Sequence, residues 1–418
     1  MGTVYNVSVF DEDDELDIAK LRLVVDAELR RVNDEMSTYL GSSEISQFNE
    51  SETTDWFDVS PGFAKVVAKS LDVAEATNGA FDVTVGPLVN LWNFGPNKRS
   101  RKIPDDLELE SAREVVGYQK LSVRLDPPAI KKDIADLRID LSSIAKGHGS
   151  DRVVEALSKE GAENVFVEVG GEVRVRGSKD GVPWRVGVQT PDAAMNQITK
   201  AFDLTSEVGT AMATSGDYRN FFKVAGQKYS HTIDPRVGRP VRHDLASVSV
   251  VAEDCMTADA WATALSVVGF DEALALARQN DLVVYLLRRT DDGVVAAGTG
   301  ALVSIEESIS PSPNESSASG ASSQWLATAM ITLVAFGILL SAMAVGVIMG
   351  RRPIAGSCGG LNASKVNEDG TMTCNVCSNP VEGCRELIEK MEAAGVRPDP
   401  NRVLGKRPHA EAQADVVS

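Results

Sequence analysis

The chain has 418 residues and a mass of 44.6 kDa, with 60 Asp and Glu against 42 Lys and Arg, a formal net charge of −18 and a pI near 4.8. That length exceeds one ordinary domain, and 43% hydrophobic residues exclude a wholly disordered chain. An acidic surface without a basic stripe cannot release counterions from a polyanion, so nucleic acid is excluded as a partner.

From the N-terminus, Val4 to Phe10 alternates polar and apolar residues as a strand does, and no charged-then-apolar leader precedes it. Helical spacing of apolar residues predicts helices over 21–36, 63–77, 149–159 and 257–268. Strand-like runs fall at 165–169, 173–176, 184–188, 247–252 and 282–287. The first part is therefore mixed α and β, and it holds no repeat.

Polar and Gly-rich knots interrupt this scaffold at 77–95, 140–149, 167–172 and 213–240. In the second, Lys146-Gly147-His148-Gly149 opens a helix. Glycines that let the backbone approach, unpaired helix N–H groups and a cation describe a phosphate site, and equally an ordinary helix start. Met36 and Tyr39 in the sequence Met-Ser-Thr-Tyr could wall a flat ligand or pack in the core. His231, in a Ser-His-Thr-Ile-Asp-Pro turn, reads as a general base, a phosphate donor, or a histidine bonded within its own turn. Asp259 and Thr263 stand four apart on a helix and so share one face. A carboxylate and a hydroxyl there suit a hard cation such as Mg²⁺, or else a solvated Asp with a Thr bonded to the preceding turn.

The last quarter differs. Residues 308–324 form a Ser/Pro/Gly linker, and 325–349 contain no charge over 25 residues. As a helix those 25 residues would extend roughly 37 Å, enough for a hydrocarbon core of about 30 Å. Arg351 and Arg352 follow directly, while the residues before the span are acidic. Positive-inside logic puts the tail, 350–418, in the cytoplasm and residues 1–324 outside. A large domain outside requires a leader, so the expectation is a signal segment upstream of Met1. All of the −18 belongs to the first 324 residues, because the tail holds nine basic and nine acidic side chains. Four of the five cysteines, Cys358, Cys374, Cys377 and Cys384, lie in the tail. The lone Cys255 leaves the large domain without an internal disulfide.

In order, MSTY with FN (36–49), GAFDVTVGPLVNLW (79–92), DLSSIAKG (140–147), VEVGGEVRVRG (167–177), ATSGDYRNFF (213–222), SHTIDPRVGRPV (230–241) and MTADAWATAL (256–265) resemble the ApbE-type FAD:protein FMN transferases. The resemblance covers roughly residues 1–306. It implies a T-fold-like α+β domain that uses FAD and Mg²⁺, transfers FMN to a Thr or Ser hydroxyl of another protein and releases AMP. Carried over by position, Met36, Ala80, Phe81, Asp82, Asp140, Lys146, Thr232 and Ile233 become flavin-nucleotide contacts. Asp259, Thr263 and the carbonyl near Ser143 become the Mg²⁺ ligands. Lys146 supplies charge, and His231 or Asp82 the base.

The tail motif SCGGLNA (357–363), with Cys374-x-x-Cys377 and Cys384, resembles NqrM, a family of small membrane proteins that mature the Na⁺-translocating NADH:quinone reductase. That resemblance implies iron or Fe–S handling by the four cysteines, against a structural zinc knot as the other reading. Together the two likenesses imply a single-pass protein of a bacterial inner membrane. Its partners would be FAD and the flavin-acceptor subunits of that reductase or of the related Rnf-type complex. The same residues also serve a Mg²⁺-dependent FAD pyrophosphatase, or a non-catalytic FAD-binding scaffold for iron delivery.

Overall fold

The structure, a computed structural model, describes residues 2–11, 15–95, 103–192, 197–217, 221–224, 227–291 and 293–302, with the backbone at 307–309, 365–366 and 372–373. The chain divides into two compact units, Met1–Pro313 and Asn314–Ser418. In the second unit one short hairpin is described, Lys365–Val366 against Met372–Thr373. The expected span over 325–349 and Cys358, Cys374, Cys377 and Cys384 lie outside the described residues. Among the described residues no helix is long and apolar enough to cross a membrane.

The first unit opens with strand β1 (Tyr5–Phe10) and helix α1 (Ile18–Met36). Asp17 caps α1 by accepting from the Lys20 amide, and Leu21, Val25, Leu29, Val32 and Met36 form its buried stripe. Ser43 caps α2 (Glu44–Glu50), and the short β2 (Phe57–Asp58) follows. Ser60, with Pro61 in the first turn, starts α3 (Pro61–Ala76). A 3₁₀ turn at Val83–Val85 leads into α4 (Gly86–Leu91), and an Asp105–Glu108 capping box starts α5 (Asp106–Glu114). The hairpin of β3 (Leu121–Leu125) and β4 (Pro128–Lys132) carries β2 on its edge.

After α6 (Ala145–Lys159) come β5 (Asn164–Val169), β6 (Glu172–Arg176), β7 (Trp184–Gln189), β8 (Ile198–Leu204) and β9 (Ala211–Gly216). Two small ribbons follow, β10 (Phe221–Val224) with β11 (Gln227–Ser230) and β12 (Ile233–Asp234) with β13 (Arg239–Pro240). The unit ends with β14 (Leu245–Ala252), α7 (Cys255–Val268), α8 (Phe270–Gln279), β15 (Val283–Thr290), β16 (Gly293–Gly298) and β17 (Glu307–Ile309).

An eight-stranded sheet in the order β1-β5-β6-β9-β14-β15-β16-β17, antiparallel throughout, organises the unit. Its central strands β14 and β15 are buried on both faces because both are covered, whereas β1 and β5 alternate. Ala213, Val248, Val250, Val284 and Leu286 join the core under α3 and α7. Their neighbours Met212, Val251, Tyr285 and Leu287 join Phe202 and Leu204 under the β7–β8 ribbon. The architecture is α+β, as expected. Ser308 and Ile309, read from the sequence as linker, instead extend the sheet edge through β17.

Helix α6 begins at Ala145 rather than 149. Gly147 lies inside the helix, where α6 crosses α7 so closely that a Cβ on it would lie 2.2 Å from the Cys255 carbonyl oxygen. The glycine is needed for packing between the two helices.

Candidate active site

A cavity of about 520 Å³ lies among the C-terminus of α1, the 80–82 turn, the 140–146 segment, the β5–β6 turn, the end of β9 and the 231–233 turn. This volume falls within the usual range for small-molecule sites. Met36, Ala80, Phe81, Asp82, Asp140, Ser143, Lys146, His231, Thr232, Ile233 and Thr263 all line it. Residues nearly 230 positions apart are thus brought to one wall.

Lys146 is the centre of charge. Its Nζ lies 3.1 and 3.3 Å from the two carboxylate oxygens of Asp259 and 3.0 Å from Glu172 Oε1. Asp259 is 1% exposed and Glu172 is 4% exposed. Burial pushes the ammonium pKa down, but the Asp259 and Glu172 carboxylates outweigh it and hold the pKa above the usual lysine value. Asp259 also accepts the Gly147 amide at 2.9 Å, and Ala145 donates to the Leu141 carbonyl. Two of the N–H groups that the sequence reading left open to a phosphate are therefore engaged. One turn along α7, Thr263 Oγ1 stands 3.4 Å from Ser215 Oγ.

The surrounding backbone is pinned by specific side chains. Asn49 donates to the Ile139 carbonyl at 2.9 Å and accepts its amide at 2.7 Å, and the Asp140 amide reaches the Val83 carbonyl at 2.7 Å. Lys132, fully buried, donates to the Phe48 and Leu137 carbonyls. These bonds hold the strand-like approach to Asp140 and Ser143.

Asp82, one of the two candidate bases, is also an anchor of its own turn. One of its oxygens accepts the Thr84 amide and hydroxyl at 2.7 and 2.6 Å, and the other accepts the Tyr118 amide at 2.8 Å. Burial raises its pKa against those three donors. Such a carboxylate organises the turn beneath Ala80 and Phe81 while it lines the cavity. His231 sits across the cavity with Phe94 edge-on at 6.3 Å, and a ladder of rings from Phe94 through Phe222 and Tyr229 to Trp92 backs it.

The sequence reading passed over Glu172 and Asp151. Glu172 shares its strand face with Arg174 and Arg176, so the pattern alone reads it as one more polar residue. Asp151 accepts the Cys255 and Met256 amides at 2.8 and 2.9 Å, anchoring the start of α7 from α6. Nothing in the sequence pairs positions a hundred residues apart.

The resident cation implied by the resemblance can be tested against the donors present. Among the described residues, no group of three or more His, Cys, Asp or Glu could hold a metal ion. Asp259, Thr263 and the Ser143 carbonyl are instead a mixed set of hard oxygens with a single carboxylate, which fits Mg²⁺ better than zinc.

Residues 1–286 match the ApbE family, and residues 347–396 match the family described as (Na+)-NQR maturation NqrM. The FAD:protein FMN transferase of Vibrio cholerae is 42% identical over 294 residues, covering 70% of this chain and 86% of that protein. Its Haemophilus influenzae counterpart is 40% identical over 312 residues, covering 73% and 90%. The solved flavin transferase ApbE of Vibrio cholerae superposes with a TM-score of 0.64 at 41% identity, covering 72% of this chain and 94% of that one. The apo flavinyl transferase ApbE of Pseudomonas stutzeri gives 0.65 at 35% identity, covering 72% and 92%. Sequence, fold and the convergence of all seven motifs on one region agree: the chain belongs to the ApbE family and is a flavin transferase.

Proposed function

We propose that this FAD:protein FMN transferase binds FAD in the cavity with Mg²⁺ at Asp259, Thr263 and the Ser143 carbonyl, and passes the FMN half to a Thr or Ser hydroxyl of a partner protein. The observation that carries the reading is Lys146, held by the buried carboxylates of Asp259 and Glu172, on the wall of a cavity of about 520 Å³ that His231 also lines. The acceptor oxygen bonds to the FMN phosphorus, the P–O bond to the AMP phosphate breaks, and AMP leaves with the bridging oxygen. The acceptor proton passes to His231 and then to solvent. A bound divalent ion supplies Lewis-acid neutralisation of the phosphate oxygens. Lys146 adds a second positive charge, and Met36, Ala80 and Phe81 offer apolar surface for the flavin end. Asp140, Thr232 and Ile233 fix the remaining nucleotide contacts.

The likeness of 347–396 to NqrM supports the Na⁺-translocating NADH:quinone reductase as the acceptor complex. In this reading, 325–349 spans the inner membrane with the transferase unit outside. The four tail cysteines assist iron assembly on the cytoplasmic side. Incubating the full chain with FAD, Mg²⁺ and the isolated acceptor subunits, followed by in-gel flavin fluorescence and mass spectrometry, tests this. Covalent FMN on a Thr or Ser and stoichiometric AMP are expected. Free FMN and AMP at the same rate without acceptor would make the enzyme a pyrophosphatase instead.

A further inference from the structure

Asp259 is the carboxylate a cation would need, yet it forms no part of the cavity wall, and the Lys146 ammonium occupies both of its oxygens. Of the three charged groups only Lys146 is appreciably open, with 27% of its side chain exposed against 2% for Asp259 and 6% for Glu172. An ammonium has three N–H donors and can be shared or handed over between two acceptors. The two buried carboxylates both hold this one ammonium. A cation arriving at Asp259 repels Lys146, which then needs a second buried partner to remain at the wall.

We propose that Glu172 is that partner, a positioning residue that draws the Lys146 ammonium off Asp259 to let a divalent ion in and then holds it against the cavity. This inference deepens the reading above and rests on its placing the cation at Asp259. The local backbone suits the task. Glu172 heads β6 directly after Gly170 and Gly171, both in the left-handed region at φ 66° and 106°, and the Gly170 amide pins this turn by donating to the Val4 carbonyl at 2.9 Å. That turn also bears on the lysine stem: a Cβ at Gly170 would lie 3.2 Å from Lys146 Cδ. The stem is confined while its head is exchanged between Asp259 and Glu172.

The test is Mn²⁺ alone, titrated into the full chain without FAD and followed by the electron paramagnetic resonance of free Mn²⁺. Glu172→Gln is expected to weaken Mn²⁺ binding roughly 10-fold, and Lys146→Met to tighten it several-fold. In the Lys146→Met background, Glu172→Gln should change affinity by less than about 3-fold, because the competitor is gone. An equal loss in both backgrounds, or none in either, overturns the proposal, since Glu172 would then be a ligand, a bulk charge or a bystander. Glu172→Asp keeps the charge and should bind within a few-fold of the native chain. It serves if the amide variant loses its native circular dichroism. Mn²⁺ binding that survives Asp259→Ala unchanged would remove the cation site itself, a failure of the underlying reading distinct from that of the Glu172 cycle.

Discussion

At Asp259, one carboxylate accepts from both Lys146 and Gly147 at 1% exposure, so a charge that is costly to bury is matched by a full charge and a backbone dipole. Replacing it by Asn keeps the shape and the Gly147 bond but removes the anion. Asp259→Asn should therefore remain folded while FMN transfer falls by about 10²–10³-fold, the scale of losing one charge-stabilising group. Fluorescent labelling of the acceptor and a thermal melt separate the two effects, and near-native transfer would contradict the assignment. The four-residue spacing of Asp259 and Thr263 singled them out but left two readings open, and the family resemblance chose the cation between them. Glu172 was not, because its partner stands at Lys146, 26 positions earlier, and only the folded sheet joins them.

At the level of elements, α6 carries two buried ionisable groups with opposite consequences. Burial pushes Asp151 up to about 6 despite the amides it accepts, and pushes His148 down to about 3. The native state thus favours the proton on Asp151, and that contribution is present below the ordinary Asp range and lost as pH rises through about 6. The native state disfavours the proton on His148, so its contribution is present above about 6.5 and lost as pH falls through that value toward 3. His148→Gln should flatten the acid limb of stability between pH 6.5 and 4 by an amount on the order of 2 kcal/mol, read from urea unfolding at several pH values. An unchanged limb would mean that His148 takes up its proton without cost.

The crossing of α6 with α7 gives a second prediction. Gly147→Ala would bring a methyl group to 2.2 Å from the Cys255 carbonyl oxygen and 2.8 Å from Asp259 Cβ. It should cost more than about 2 kcal/mol and loosen the cation site along with the helix pair. A lower melting temperature and weakened transfer together are expected, whereas a native melting temperature would refute the contact. Apolar spacing starts α6 four residues late because glycine lowers intrinsic helix propensity, while the tertiary contact makes that same glycine indispensable.

For the whole molecule, the first unit contains every side chain proposed for flavin transfer, and the cysteines proposed for iron assembly all belong to the second. The two activities should therefore separate. Replacing Cys374 and Cys377 by Ser should leave the rate of acceptor flavinylation unchanged and lower the iron content of the quinone reductase matured in the same cells. Metal analysis of the purified complex measures the second effect, and loss of flavinylation in this variant would show the units to be coupled.

Local physics made much of this protein readable in advance. Helical and two-residue periodicities marked α1, α3, α7 and the central strands, and ordered motifs marked Lys146, His231, Asp259 and Thr263. Those signals depend on neighbours in the chain, which the sequence holds directly. What required the tertiary structure was everything set by pairing distant segments: the Lys146–Glu172 contact, the Asp151 anchor on α7, the bond from the Tyr118 amide to Asp82, and the packing role of Gly147. Burial removes water as an alternative partner, so each of these groups is defined by whatever the fold places beside it.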